Sequence, residues 1–512
     1  MNSKILWVDD EIDLLKPHIM FLESKGYDVD VINNGTEALE LCQLKRYDIV
    51  FLDENMPGLS GLDTLVRIKD KYTDLPVVMI TKSEEETIME DAIGRKIADY
   101  LIKPVHPNQL LLCLKKCLKG ESLVDEKNNE DYLKEFRNLG HQIDFCDSIT
   151  EWISIYKKIV FWEIELKQKS LLESLEAQKK VANDLFCRFL VDNYTDWLKH
   201  SDKAPEMLHT LIKNRIAPKI TNNKTFLLVI DNLRYDQWLI LKPLISVDFN
   251  VDSEDIILSI LPTTTHYARN ALFSGLMPLD IQKMFPKFWV NEDEEGGRNN
   301  NEKELLEANL TRLGKSCKFS YNKITHIDAG KKLADSINQL FVNDFNVIVY
   351  NFVDMLSHAR TEMEIIKELA GNEAAYRSLT ASWFNHSPLK LILEKIAKAG
   401  WKLIITTDHG SVKVTNPVKI VGEKSTNTNL RYKVGRNLSY KEKDVYAVRD
   451  PKDLLLPKTA MSSEFVFCKQ NDFFVYPNNY NQFVNYYGDT IQHGGISLEE
   501  ILIPYIELSP KR

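Results

Sequence analysis

A chain of 512 residues with 44% hydrophobic and 27% charged positions has the make-up of an ordinary globular protein, with room for ~3 domains. Its net charge of -9 excludes a wholesale polyanion coat, although local basic patches stay open. The 7 cysteines form no CxxC pair, and no apolar run approaches the ~20 residues of a membrane span, so the expectation is a reduced, cytoplasmic protein without membrane insertion.

Over residues 1–120, short apolar runs alternate with amphipathic stretches, the pattern of a doubly wound parallel sheet. Each run ends in a residue suited to phosphate chemistry: Asp9 and Asp10, then Asp53, then Thr81, then Lys103. Converging carboxylates hold a hard cation such as Mg²⁺. That cation and Lys103 would neutralise a phosphoryl group on Asp53, with Thr81 donating to one of its oxygens. The segment resembles the response-regulator receiver family. The resemblance implies a flavodoxin-like fold, Asp53 as phosphoacceptor, and Mg²⁺ on Asp9, Asp10, Asp53 and the Asn55 carbonyl. It also makes Thr81 and Lys103 the switch residues and gives Tyr100 the aromatic position whose rotamer reports activation.

Residues 121–220 open on the polar run 125–131, which has linker composition. Apolar positions then recur at helical spacing in Trp152, Ile155, Ile159, Trp162 and Leu166, again from Leu171 to Trp197, and a third stretch covers 205–216. A three-helix connector is expected, acting as a relay, a dimerisation element or a plain spacer. Mixed charges and long helices argue against a DNA-reading helix-turn-helix.

Residues 221–512 carry four segments rich in metal-ligating types. Three follow apolar runs: Asp231 after 225–230, Asp354 and His358 after 347–353, and Asp408-His409 after 402–407. The fourth is His493, just before the last apolar run. The i, i+4 spacing of Asp354 and His358 puts both on one helical face. Between Asp231 and Asp354 comes the hydroxyl loop Pro262-Thr263-Thr264-Thr265, followed by Arg269. Three Asp, three His and a Thr suit two borderline divalent ions, Zn²⁺ or Mn²⁺.

The order of these residues resembles the alkaline phosphatase superfamily, in its phosphodiesterase-like and PglZ branches. The resemblance implies an α/β sandwich in which Asp231, Asp408, His409 and the Thr265 oxygen share one Zn²⁺, while Asp354, His358 and His493 hold the other. It makes Thr265 the nucleophile, three residues past the proline. Arg269 would reach the substrate phosphoryl oxygens or form an ordinary surface salt bridge. No Cys/Ser-x-Pro-x-Arg setting is present, which argues against sulfate esters.

A basic stretch, with Lys413, Lys419, Lys424, Arg431, Lys433, Arg436, Lys441 and Lys443 against Glu423 and Glu442, reverses the local sign and would steer a phosphodiester or oligonucleotide. The aromatics Phe473 to Tyr487 would pack a core or stack bases. The acidic, asparagine-rich segment 291–302 reads as a mobile insertion, a lid. His326 and His386 have no partner at ligand spacing.

Receiver, connector and PglZ-like domain in this order resemble the PorX-type response regulators. That resemblance implies a sensor histidine kinase as phosphodonor, a link to type IX secretion, and a homodimer on phosphorylation through receiver helices 83–96 and 107–118. Two functions follow: a regulated dimetal phosphodiesterase, or a signalling scaffold that binds a sigma factor or secretion component.

Overall fold

The computed structural model describes residues 3–81, 97–200, 202–220, 224–292, 294, 297–351, 372–423, 426–460 and 462–511. They fall into two compact units, 1–132 and 133–512.

The first unit is a five-stranded parallel sheet in the order β2-β1-β3-β4-β5, formed by β1 (Lys4–Val8), β2 (Asp28–Ile32), β3 (Ile49–Asp53), β4 (Val77–Thr81) and β5 (Asp99–Ile102). The central strands β3 and β4 are buried at every position, as strands covered on both faces must be. Helices α1 (Ile12–Ser24), α2 (Gly35–Leu44) and α3 (Gly61–Lys71) connect them. Asn34 and Ser60 start α2 and α3 by accepting the Glu37 and Asp63 backbone N–H groups, satisfying donors that have no partner within the helix. The expected dimer helix 83–96 lies outside the described residues.

Helix α4 (Pro107–Asp144) differs from expectation. The polar run 125–131 is helical, not a loop. Its Asp, Glu, Lys and Asn residues suit a solvated helix face as well as a linker, and no Pro or Gly interrupts them.

In the second unit, α5 (Ile149–Glu165) and α6 (Lys169–Lys199) follow the two predicted stripes. Ser148 accepts the Glu151 N–H while the Glu151 carboxylate accepts the Asp147 N–H. The inner face of α5 buries Trp152, Ile155, Tyr156, Ile159 and Val160, each contributing roughly 1.5–3 kcal/mol of burial. The third expected helix is not a regular one. It is a 3₁₀ turn (Leu208–Thr210), a π turn (Ile212–Ile216) and a single α turn (Ala217–Ile220).

A six-stranded mixed sheet, β7-β18-β10-β6-β9-β8, forms the centre of this unit. Its parallel part is β6 (Thr225–Ile230), β8 (Phe319–Ile324), β9 (Phe345–Tyr350) and β10 (Lys402–Thr406). Strands β7 (Phe249–Leu258) and β18 (Leu502–Pro510) run antiparallel to their neighbours. Helices α7 (Tyr235–Ile245), α8 (Thr265–Ser274), α9 (Pro278–Met284), α10 (Glu302–Arg312), α11 (Ile327–Ser336), α12 (Glu373–His386) and α13 (Pro388–Lys398) flank it. A smaller β region follows β10: β11 (Val412–Lys413), β12 (Asn416–Lys419), β13 (Tyr432–Gly435), β14 (Val445–Val448), β15 (Glu464–Cys468), β16 (Asp472–Val475), α14 (Tyr480–Tyr487), β17 (Ile491–Gln492) and α15 (Leu498–Ile501). No described helix is long and apolar enough to cross a membrane.

Candidate functional sites

In the first unit, the carboxyl ends of β1 and β3 bring Asp9, Asp10 and Asp53 together, with ligand oxygens within 4.8 Å of one another. Asp9 and Asp53 are buried and Asp10 is exposed. The Lys103 ammonium sits between the buried pair, 2.9 Å from Asp9 Oδ2 and 2.8 Å from Asp53 Oδ2. Burial pushes the Asp53 carboxyl above its usual range, against the pull of Lys103 and of the Asn55 backbone N–H. Thr81 is buried at the end of β4, and its carbonyl accepts the Lys103 N–H at 2.8 Å. Tyr100, on β5, is 40% exposed. Three carboxylates beside a single cation suit a hard divalent ion.

The second site forms at the carboxyl edge of β6 and β10, where an α/β sheet opens a crevice. Asp231 follows β6, Asp408-His409 follow β10, and their ligand atoms also lie within 4.8 Å of one another. All three are buried. Asn232 turns the chain away in a left-handed conformation (φ 63°), one that Asn tolerates better than most residues. Its N–H lies 3.4 Å from Asp408 Oδ1.

Thr265 is the first residue of α8, and its Oγ1 is 3.4 Å from Asp231 Oδ1 and 3.2 Å from His409 Nε2. Of the other two hydroxyls of the loop, Thr263 is engaged elsewhere, while Thr264 Oγ1 is buried and makes no cap bond. Thr263 Oγ1 donates to the Gly495 carbonyl and accepts the Gly494 N–H, and Thr264 is the N-cap residue. A helix N-terminus favours negative charge on what it faces. The His493 ring stacks on His409 with centroids 4.3 Å apart, and His493 Nδ1 lies 3.2 Å from the Thr263 carbonyl. Asp354 and His358 lie outside the described residues. Two carboxylates and an imidazole in reach of one point are a donor set that fits Zn²⁺ or Mn²⁺.

Arg269 is placed differently from the expectation that it meets substrate. It is 0% exposed. Its guanidinium lies 2.5 Å from Asp231 Oδ2 and 3.0 Å from Asp408 Oδ2, donates to Asn351 Oδ1, and faces Glu302 at 3.7 Å. Burial opposes charge on Asp408, yet Arg269 and then His409 outweigh it and hold that carboxyl well below the usual range. Arg269 thus bonds both carboxylates and holds Asp408 in its ionised form.

Residues around the site were not legible in sequence. Asn299 donates to the Thr265 carbonyl, and Glu292 accepts from Tyr432, so described parts of 291–302 pack against the start of α8. From the connector, Lys179 places its ammonium 2.8 Å from Glu163 and 2.7 Å from Glu499. Asn183 clasps the same turn through Glu499 and the Leu498 N–H. That turn abuts the metal-ligand loop: a Cβ on Gly410 would lie 2.0 Å from the Glu499 carbonyl oxygen, so only glycine fits beside His409.

The basic stretch is partly dismantled by folding. Arg431 and Lys433 are buried, Arg431 on Glu500 at 2.6 Å. Lys413 pairs with Asp489 and Arg436 with Glu423, while Lys424 lies outside the described residues. Phe473 and Phe474 are core residues, whereas Phe483 and Tyr486 are exposed on α14. His326 and His386 are exposed.

Three family models match successive parts of the chain. The receiver-domain family model matches 5–115, the PorX response regulator linker model 122–198, and the BREX-system PglZ alkaline phosphatase-like model 211–508. Among curated relatives, the transcriptional regulatory protein ResD of Bacillus subtilis is 33% identical over 121 residues, 24% of this chain and 50% of that protein. SrrA of Staphylococcus aureus is 26% identical over 141 residues, 28% of this chain and 58% of that protein. The chain thus spans about half the length of the curated relatives it matches. The chemotaxis regulator CheY4 of Vibrio cholerae is 28% identical over 23% of this chain and all of that structure, with a TM-score of 0.22. With a receiver, a PorX linker and a PglZ alkaline phosphatase-like domain in sequence, the chain belongs to the PorX-type response regulators of the PglZ family.

Proposed function

We propose that this response regulator, phosphorylated on Asp53 by a sensor histidine kinase, controls a dimetal zinc phosphodiesterase in its C-terminal domain that acts on nucleotide or oligonucleotide phosphodiesters. One observation carries the reading. At the sheet edge, the Thr265 hydroxyl lies within 3.4 Å of both Asp231 and His409, beside the two buried carboxylates. Divalent ions held by Asp231, Asp408 and His409, and by Asp354, His358 and His493, supply Lewis acidity toward phosphoryl oxygens.

The chain's own residues do the rest. Asp231 and His409 fix the Thr265 oxygen, which gives up its proton to solvent and forms a bond to phosphorus as the ester oxygen leaves and is protonated by water; a second water then hydrolyses the phosphothreonine. Arg269 holds Asp408 in its charged form. The N-terminus of α8 favours the charge that develops. In the receiver, the Asp53 carboxylate takes the phosphoryl group from the kinase's phosphohistidine, whose imidazole leaves, Thr81 and Lys103 contact its oxygens, and Tyr100 reports it; Asp9, Asp10, Asp53 and the Asn55 carbonyl would hold the Mg²⁺ that neutralises its charge. The resemblance to regulators of type IX secretion makes a homodimer on phosphorylation, and contact with a sigma factor or secretion component, part of the same reading.

The test is zinc-loaded protein assayed on a nitrophenyl phosphodiester, a monoester and short oligonucleotides. Diester cleavage is expected, and Thr265→Val should lower it by at least about a thousandfold while metal content and fold persist. Cleavage indifferent to that substitution removes Thr265 as nucleophile, and inactivity on every ester overturns the enzyme in favour of a scaffold. Beryllium fluoride should raise the dimer fraction in sedimentation; a monomer with and without it contradicts phosphorylation-dependent assembly.

A further inference from the structure

We propose that Asp99, Cys113 and Cys117 in the receiver form a second metal site, for a thiophilic divalent ion of the Zn²⁺ class. The three ligand atoms lie within 4.8 Å of one another. None belongs to the phosphoacceptor pocket, and the inference does not depend on the reading of the C-terminal domain.

The geometry follows from local structure. Cys113 and Cys117 are four residues apart on α4, a spacing that puts both thiols on one helical face. Their sulfurs are 4.0 Å apart. Two sulfurs each ~2.3 Å from a tetrahedral zinc ion stand ~3.8 Å apart, so the pair closes on an ion with a shift of a few tenths of an ångström. Asp99, the first residue of β5, brings its carboxylate over the same face. A fourth position remains for water.

Two bland explanations leave something over. Cys113 is buried among Trp7, Phe51, Ile80 and Leu110, where a thiol serves as a small apolar filler. Cys117 packs against the same cluster, so filling accounts for both thiols, but not for a carboxylate brought to the pair of them, since desolvating a carboxylate beside apolar groups is unfavourable. Lys116 pairs with Asp99 at 3.1 Å but is 66% exposed, and exposed ion pairs of this kind contribute little. An entering cation can displace it. Cys113 would form the floor of the site, while Cys117 and Asp99 are only partly buried and leave a way in.

Donor chemistry separates this site from the one at Asp53. Two thiolates select borderline or soft ions, whereas an all-carboxylate pocket suits Mg²⁺. The ion would tie the start of β5, one residue before Tyr100, to α4. Zinc availability would then act on the same strand that carries the receiver's aromatic switch position.

The experiment uses the full chain, kept reduced and titrated with Co²⁺ and Cd²⁺ as probes. The readout is thiolate-to-metal charge-transfer absorption in the near ultraviolet. The C-terminal ligands are oxygen and nitrogen donors and contribute no such band, so Asp231→Asn should leave it intact. The band is expected to saturate at one ion per chain, to be displaced by Zn²⁺, and to disappear in Cys113→Ser and in Cys117→Ser. In Asp99→Asn, affinity should fall at least about tenfold. Because Cys113→Ser puts a hydroxyl into a packed position, the partly exposed Cys117 decides on its own: Zn²⁺ should slow its alkylation in the wild-type chain. No charge-transfer band, a band that survives Cys117→Ser, a band indifferent to Asp99→Asn, or alkylation unaffected by Zn²⁺ would each overturn the site.

Discussion

The two acidic pockets of this chain solve one electrostatic problem in different ways. Each gathers carboxylates at the carboxyl ends of parallel strands and sets a cation against them. In the receiver the cation is Lys103, which is 15% exposed and shared by Asp9 and Asp53. In the C-terminal domain it is Arg269, which is 0% exposed and forked between Asp231 and Asp408 with Asn351 and Glu302 behind it. An ammonium on a flexible stem is a point charge that can move to a new phosphoryl group, whereas a buried guanidinium in a planar fork fixes geometry. The first arrangement is suited to switching, and the second to holding ligands still.

The strongest way to break that comparison is Arg269→Met. It leaves two buried carboxylates uncompensated, and removing one partner of such a pair costs roughly 3–5 kcal/mol. Denaturant unfolding of metal-free protein should show the C-terminal transition destabilised by about 4 kcal/mol, and Zn²⁺ should restore part of it. A loss below about 1 kcal/mol would mean that Arg269 does not hold the carboxylates.

Gly410→Ala probes the rigidity of the same loop from the connector side. Its new Cβ would meet the Glu499 carbonyl oxygen at 2.0 Å, an overpacking expected to cost about 3 kcal/mol. Displacing His409 by even ~1 Å should lower cleavage about a hundredfold. Full activity in a destabilised variant would show that the Glu499 turn does not position His409.

Lys433 sharpens the contrast with the opposite sign. It is buried, with its ammonium on the Asn427 carbonyl at 2.9 Å and over the Tyr476 ring, and no described carboxylate pairs with it. Burial lowers its pKa to about 8. The unfolded chain therefore holds more protons between that value and the ordinary ~10.4, so this group lets stability rise with pH across that window and depresses it fully below. Lys433→Met should stabilise the domain by about 2 kcal/mol near pH 7, allowing for one lost hydrogen bond, and should flatten the alkaline slope. An unchanged slope in urea midpoints from pH 8 to 10 would show that Lys433 stays charged at no penalty.

What the sequence reveals of these pockets follows how local each signal is. Asp9, Asp53 and Lys103 are legible because each ends an apolar run, and strand ends in a parallel sheet converge. Asp231 and Asp408 follow by the same logic. The direction of Arg269 is not legible: its spacing from Thr265 fixes a helix face, but only the tertiary fold brings that face onto Asp231 and Asp408. Lys179 and Glu499 lie far apart in sequence, and nothing near either predicts the other. Residues 125–131 mislead because a run of Asp, Glu, Lys and Asn without Pro or Gly is compatible with a linker and with the solvated face of α4. In the basic stretch, composition counts Arg431 and Lys433 as surface charge, although Lys433 on β13 and Arg431 just before it are both buried.

The smallest expected effect falls on the receiver. Lys103→Met removes a partly exposed cation, and burial already pushes the Asp53 carboxyl toward its protonated form. The pocket can therefore take up a proton instead of keeping two bare charges, and solvent screens what remains. The receiver transition should lose only about 1 kcal/mol, while its response to beryllium fluoride, read as a change in Tyr100 environment, should be lost. If the stability loss instead matched that of Arg269→Met, Lys103 would be a structural cation of the same kind, and the division between a switching pocket and a holding pocket would fall.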